Sequence, residues 1–218
     1  MQFDLNNKIV KLCADGMNAE ARGDIRLAMT LFQQAWDAAA DDFEKFTAAH
    51  YLSRNRQDAS VELQWNETAL DHALAMTDDE AKAHYPSLYL NIGRSYEKLG
   101  ESELARQHYQ LAAEFSDHLA TGAYSDMIRS GIKAGLQRTG VTQPVIDRLS
   151  KMIDKWCDLK SLRPLSFVLP VYVSYLGTEQ DRNRLISSLS LLSASRCLDD
   201  IDQQNVDAVI AELSAEGE

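Results

Sequence analysis

Apolar side chains recur at i, i+3, i+4 and i+7 along almost the whole chain, interrupted by only 10 Gly and 4 Pro. That spacing lays the apolar positions along one stripe of an α-helix, so the chain reads as all-helical. A first helical pair is predicted from about Leu5 to Ala40. It divides where Gly23 suits a left-handed C-cap and Asp24 an N-cap. A second pair is predicted over Phe43–Asn55 and Val61–Met76, joined by Arg56–Ser60, where the glycine turn is missing. The third begins at Pro86, whose absent N–H is harmless in a first turn, and runs to Leu99. After Gly100 its partner helix covers Ser102–Phe115.

Beyond Asp117 the pattern predicts helices over Ala123–Arg138, Pro144–Leu159 and Pro164–Leu176, then one capped by Thr178 to about Leu192, and Asp202–Leu213. The tail from Ser214 to Glu218 reads as frayed. The β-branched content of Pro164–Leu176 also suits a strand, but no second strand is evident to pair with it. As a helix it would lack the hydrogen bond from Pro170 to the Ser166 carbonyl.

Within the third pair, Tyr89, Ile92, Gly93, Tyr96, Gly100, Ala105, Tyr109 and Ala112 alternate small residues, where backbones nearly touch, with aromatic and aliphatic ones that fill gaps. Leu12, Gly16, Gly23, Ala28, Phe32 and Ala35 repeat the pattern earlier. This pattern resembles the tetratricopeptide repeat (TPR), a helical hairpin of about 34 residues. The resemblance is clear at residues 86–117, weaker at 8–40 and degenerate at 43–76, where Asn66, Leu70 and Ala73 take the second-helix positions. The two clear copies stand farther apart than two repeats, which places an insertion near Asp78–His84. The resemblance implies an all-α fold, a right-handed α–α superhelix (a TPR-like solenoid) with divergent C-terminal helices. Residues 1–118 would hold three hairpins, and residues 119–218 would continue or cap the solenoid; a separate small helical domain is the other option.

In that family the first helices of successive hairpins line a concave groove that holds a peptide segment of a partner. By position, the groove here would present Cys13, Met17 and Glu20, then Thr47, Tyr51, Arg54 and Asn55, then Ser87, Leu90, Asn91, Arg94 and Lys98. Some members grip a peptide C-terminal carboxylate with a Lys–Asn pair in the first hairpin and an Asn in the second. Cys13, Met17 and Thr47 stand in those places, so that clamp is not expected.

His50 falls in the slot that Gly16 and Gly93 fill in the flanking hairpins. An imidazole there must either force the hairpin apart or point into a polar pocket. Arg54 lies one helical turn on, on the same face. With Asn55, Trp65, Asn66, His84 and Tyr85, these residues make a candidate polar–aromatic pocket, since arginine and aromatic anchors are what binding hot spots favour. The bland alternative is that His50 bonds a backbone carbonyl and Trp65 fills core. Asn91 reads as a bond between hairpins, and Arg94 as either a groove contact or an ion pair with Glu97 or Asp71.

Composition narrows the function. A net charge of −11 over 218 residues disfavours bulk attraction to nucleic acid or anionic membrane. The longest apolar stretch, Leu165–Leu176, falls well short of the about 20 residues a membrane span needs. Cys13, Cys157 and Cys197 lie far apart with no CxxC pair, and the start Met1–Asn7 lacks a secretory pattern, so a reduced, cytoplasmic protein is expected. Cys157 and Cys197 read as inert, with Cys157 buried. The pairs Asp41–Asp42, Asp78–Asp79 and Asp199–Asp200 read as helix caps and not as metal ligands. Neither a Gly-rich cofactor loop, nor GxSxG, nor HExxH is present. No catalytic residue, cofactor or metal is therefore expected. The sequence points to a non-enzymatic scaffold that binds a protein or peptide; the alternative is a small-molecule sensor or enzyme with a pocket around His50, Trp65 and His84. Self-association through Leu165–Leu176 is a further expectation to test.

Overall fold

A computed structural model of the chain describes residues 6–76, 79–140 and 144–215. Leu5, Asp78 and residues 216–218, to which the sequence assigned a hairpin start, part of an insertion and a frayed end, lie outside the described residues. The described chain is all-helical, without strands, and its eleven α-helices pack against their neighbours. It divides into two compact units, Met1–Thr139 and Gly140–Glu218.

In the first unit α1 (Lys8–Ala21) pairs with α2 (Ile25–Ala38), α3 (Asp42–Leu52) with α4 (Ala59–Ala75), and α5 (Tyr85–Lys98) with α6 (Ser102–Glu114). Helix α7 (Ala123–Arg138) packs on both α5 and α6. The fading of the repeat signature had grouped α7 with the C-terminal helices; it belongs to the first unit. A 3₁₀ segment, Asp79–His84, occupies the predicted insertion.

Local chemistry sets the ends. The Asn7, Asp24, Asp41 and Asp58 side chains accept backbone N–H groups that the first turns of α1, α2, α3 and α4 leave unpaired. Gly23 turns left-handed at φ 82°, which returns the Asp24 N–H to the Ala19 carbonyl at 2.9 Å. At the second pair Asn55, at φ 57°, supplies the left-handed residue where glycine was missing.

Small residues then admit large ones. A methyl added at Gly16 would lie 2.2 Å from Phe32 Cε1, and one at Gly93 would lie 2.6 Å from Tyr109 Cε1. Phe32 and Tyr109 are both fully buried. In the second pair the small residue is Ala49, fully buried with Ala69 and Ala73 of α4. His50, assigned to that slot by repeat spacing, is one residue off it and does not separate the helices. Asn66, in the second-helix series, is buried and donates to Ser95 Oγ of α5 at 3.1 Å.

The second unit comprises α8 (Pro144–Asp158), α9 (Leu162–Ser174), α10 (Glu179–Ala194) and α11 (Asp200–Ala215) around one apolar cluster. Leu165, Val168 and Tyr175 join that cluster and Phe167, Leu169, Val171 and Tyr172 pack against it, so most of the apolar stretch proposed for self-association is in its own core. The stretch is helical to Ser174 and carries Pro170 inside the helix. Cys157 is exposed, against the expectation of a buried thiol, because Leu149, Met152, Ile153 and Trp156 take the inward face of α8.

Trp156, almost wholly buried, donates from Nε1 to Asp202 Oδ2 at 2.7 Å, and Lys155 Nζ reaches Asp202 Oδ1 at 2.7 Å. A hydrogen bond to a charged group contributes about 1.5–3 kcal/mol, and its loss leaves a buried carboxylate oxygen unpaired. Trp156→Phe is expected to destabilise this unit by about 2 kcal/mol. Urea unfolding of the variant followed by circular dichroism checks it; an unchanged midpoint would remove that bond from the account.

Candidate functional site

The first helices of the three pairs, together with α7, enclose a cavity of about 320 Å³. Helix α1 contributes Met17, α3 contributes Phe46, Thr47, His50 and Tyr51, the turn after it Arg54, the 3₁₀ segment its last residue His84, α5 Ser87, and α7 Tyr124. The i, i+4 spacing places Phe46 and His50 on one side of α3, and Arg54 sits in the turn just past its end.

The walls are mostly rings. The Phe46 and His84 rings lie 4.9 Å apart, Phe46 and His50 6.3 Å, and His50 meets Tyr51 edge-on at 5.5 Å. Tyr51 also stacks on Phe32 at 5.3 Å, which fixes this wall to the first pair's core. Two hydroxyls at the cavity already donate to backbone: Thr47 Oγ1 to Phe43 at 2.7 Å and Ser87 Oγ to His84 at 2.9 Å.

Electrostatically the site is close to neutral. Arg54 donates from Nε and Nη2 to the two oxygens of Glu20, at 3.1 and 2.9 Å, and Asn55 Nδ2 adds a third bond at 3.0 Å. The Arg54 hydrogen bond holds the Glu20 carboxyl below its ordinary range. Burial, followed by the charges of Arg54 and His84, pushes the His50 imidazole down to about 4. Burial lowers His84 as well and raises Tyr51. The Nδ1 atom of His50 is buried with no hydrogen-bond partner. Such an atom carries an uncompensated desolvation cost, so it calls for an explanation.

The two sets of residues predicted from sequence converge only in part. His50 and His84 from the expected pocket meet Met17, Tyr51 and Arg54 from the expected groove in this one cavity. Trp65 is elsewhere: it packs edge-on against Trp36 at 5.1 Å, beneath the Arg56 guanidinium. Asn66 serves the α4–α5 contact already described, and Tyr85 is buried with its hydroxyl on the Ala73 carbonyl at 3.4 Å. Asn55 is a turn residue bonded to Glu20, at the margin of the site.

At the third pair the expected groove is filled. Leu90 is fully buried, and a methyl added at Gly131 of α7 would lie 3.0 Å from it and 2.8 Å from Arg94 Nη2. Leu90 therefore has no surface to offer a partner. Asn91 is half-buried beside it, and its carbonyl accepts from Ser95. Lys98 ion-pairs with Glu62 of α4 at 2.6 Å. Glu97, one partner proposed for Arg94, is held by Arg138 of α7 at 2.8 Å and also accepts the Tyr109 hydroxyl.

Tyr124 and Phe46 escaped the sequence reading. Phe46 sits at a core position of the repeat pattern, and Tyr124 joins the site only because α7 folds back onto α5. Among the described residues no group of three or more His, Cys, Asp and Glu is placed to hold a metal ion, and no helix is long and apolar enough to cross a membrane. Comparison with protein-family models, curated proteins and solved structures yielded no match for the chain.

Proposed function

We propose that the helical pairs of residues 8–138 are a TPR-like array, a right-handed superhelix, and that it serves as a non-enzymatic scaffold binding a peptide segment of a protein partner. The single observation that carries this reading is the cavity to which α1, α3, α5 and α7 all contribute. A concave site lined by Met17, Phe46, Tyr51, Arg54 and Tyr124 has the residue types that dominate binding hot spots. The acidic net charge of −11 supports a partner that is not nucleic acid, and three free cysteines support a reducing, cytoplasmic setting. The second reading, a small-molecule sensor, is favoured by the unpartnered His50 Nδ1 and by a volume at the lower end of the about 300–1,000 Å³ of small-ligand sites.

The test is selection of displayed random peptides on the full chain. Selected peptides are expected to lose at least about tenfold in affinity on the Tyr51→Ala/Arg54→Ala variant, about 1.4 kcal/mol. They should hold their affinity on Arg148→Ala, in the second unit. Failure to enrich any peptide, or binding undiminished by the double change, would reject the scaffold reading.

A further inference from the structure

The cavity at His50 has a composition that specifies a guest. Resting on its reading as a binding site, we infer that it takes an uncharged aromatic group bearing one hydrogen-bonding atom, of the phenol or indole kind. Three observations carry this.

The first is shape and surface. A volume of about 320 Å³ lies at the lower end for small-ligand sites and has room for a ring system. Its walls present the rings of Phe46, Tyr51, His84 and Tyr124 and the thioether of Met17. Aromatic guests gain edge-to-face and offset contacts from such walls, and sulfur packs well against a ring edge. Tyr124 is 56% exposed and Met17 42%, so the rim keeps apolar surface for a guest to cover.

The second is charge. Among the described residues, Arg54 is the one permanently charged side chain lining the cavity, and Glu20 already engages it through two hydrogen bonds. A cationic guest would find no free carboxylate, because Arg54 already engages Glu20, and an anionic guest would have to displace Glu20. Burial keeps both imidazoles, His50 and His84, shifted toward their neutral forms. Neither sign of charge is therefore provided for.

The third is the buried Nδ1 of His50, which has no partner. A neutral imidazole carries one N–H donor and one acceptor nitrogen, and it exchanges them between Nδ1 and Nε2. Once the ring turns to present that atom to the cavity, a phenolic hydroxyl satisfies Nδ1 in either tautomer, and an indole N–H satisfies it as acceptor. Thr47 and Ser87 already donate to backbone carbonyls, so their hydroxyl protons are not the ones a guest would meet.

The experiment titrates the full chain with phenol, indole, benzene, benzoate and benzyltrimethylammonium, read by calorimetry and by the ¹⁵N shift of the His50 ring. Phenol and indole are expected to bind about tenfold more tightly than benzene, with the charged probes weaker still, and phenol should move the His50 nitrogen resonance. His50→Leu should bring phenol and benzene to equal affinity, and Tyr124→Ala should weaken all aromatic probes alike. Benzene matching phenol on the wild type, a charged probe matching it, or a His50 resonance that phenol leaves in place would each overturn the inference. The resonance reports on the wild-type chain, so it decides even if His50→Leu does not fold. N-acetyltyrosinamide separates this inference from the scaffold reading. If phenol binds and the capped amino acid does not, the aromatic site stands and the peptide reading falls. If displayed peptides bind through Tyr51 and Arg54 without an aromatic residue in common, the reverse holds.

Discussion

Replacing Tyr109 by alanine is expected to destabilise the Met1–Thr139 unit by about 3–5 kcal/mol, the range for removing a large buried aromatic side chain. The ring is fully buried between two glycines of different helices. A methyl at Gly93 of α5 would lie 2.6 Å from its Cε1, and one at Gly135 of α7 would lie 2.5 Å from its Cε2. Tyr109 of α6 is thus the wedge about which three helices meet. Its hydroxyl donates to Glu97, whose carboxylate Arg138 grips at 2.9 and 2.8 Å. Loss of the ring opens a void and loosens that junction together. Tyr109→Phe should cost about 1 kcal/mol, because only the hydroxyl bond is lost and Arg138 still satisfies Glu97.

The glycines supply the decisive comparison. Gly93→Ala and Gly135→Ala should each cost about 1–3 kcal/mol in the wild type, since the new methyl overlaps the ring. In the Tyr109→Ala background the overlap is gone, and alanine's helix propensity should make the same changes neutral or stabilising by up to about 1 kcal/mol. Residues in contact couple in this way, whereas independent sites add. Urea unfolding of the four-member cycle, followed by circular dichroism, measures the coupling. A Gly93→Ala cost that persists without the Tyr109 ring would show that the close approach is not what selects glycine.

The same small-to-large relation explains what the sequence disclosed. Gly16, Phe32, Gly93 and Tyr109 are chemically distinctive, and their spacing announces helix pairs before any coordinate is known. The helix limits Ala123–Arg138 and the Thr178 cap were legible for a similar reason: glycine and hydroxyl signals act within one turn. His50 shows where such reading stops. Repeat arithmetic placed it at a helix crossing, but the second pair buries Ala49, Ala69 and Ala73 instead, and one residue of offset rotates a helical side chain by about 100°. That rotation turned an expected steric problem into a cavity wall.

The site itself was half legible. Met17, His50, Tyr51 and Arg54 share the surface where α1 meets α3, so local periodicity finds them. Leu90 and Tyr124 depend on where α7 lies, and nothing in either segment encodes that placement alone. The signal was present as Gly131 and Gly135, a spacing of one turn that lets α7 approach Leu90 and Tyr109 closely. Read as a helix-packing face, that pair would have grouped α7 with the third hairpin. Trp65, grouped with the pocket as an aromatic anchor, took the alternative role of filling core, with its ring against Trp36 across the α2–α4 boundary.

Acidification from pH 6.5 to pH 4.5 is expected to remove about 2–3 kcal/mol of stability from the first unit, most of it through His50. Its pKa is pushed from 6.5 down to about 4, chiefly by burial and then by the charges of Arg54 and His84. The unfolded chain therefore takes up this proton near pH 6.5, while the folded chain resists it until about pH 4. Between those values the unfolded state binds more protons, so stability falls as pH falls. His84, lowered by burial, acts in the same direction. Glu20, Glu44 and Glu97 are lowered below their ordinary 4.5 by the Arg54 hydrogen bond, the Ala40 N–H and the Arg138 hydrogen bond respectively. Their stabilisation is complete above pH 4.5 and is lost only below it, which leaves the upper window to the histidines. Unfolding free energies of the wild type and His50→Gln, measured by urea at half-unit steps, resolve the assignment. The variant should lose all of this pH dependence except the smaller slope due to His84 between pH 6.5 and 4.5, and two parallel curves would show that the His50 imidazole is not the group being charged.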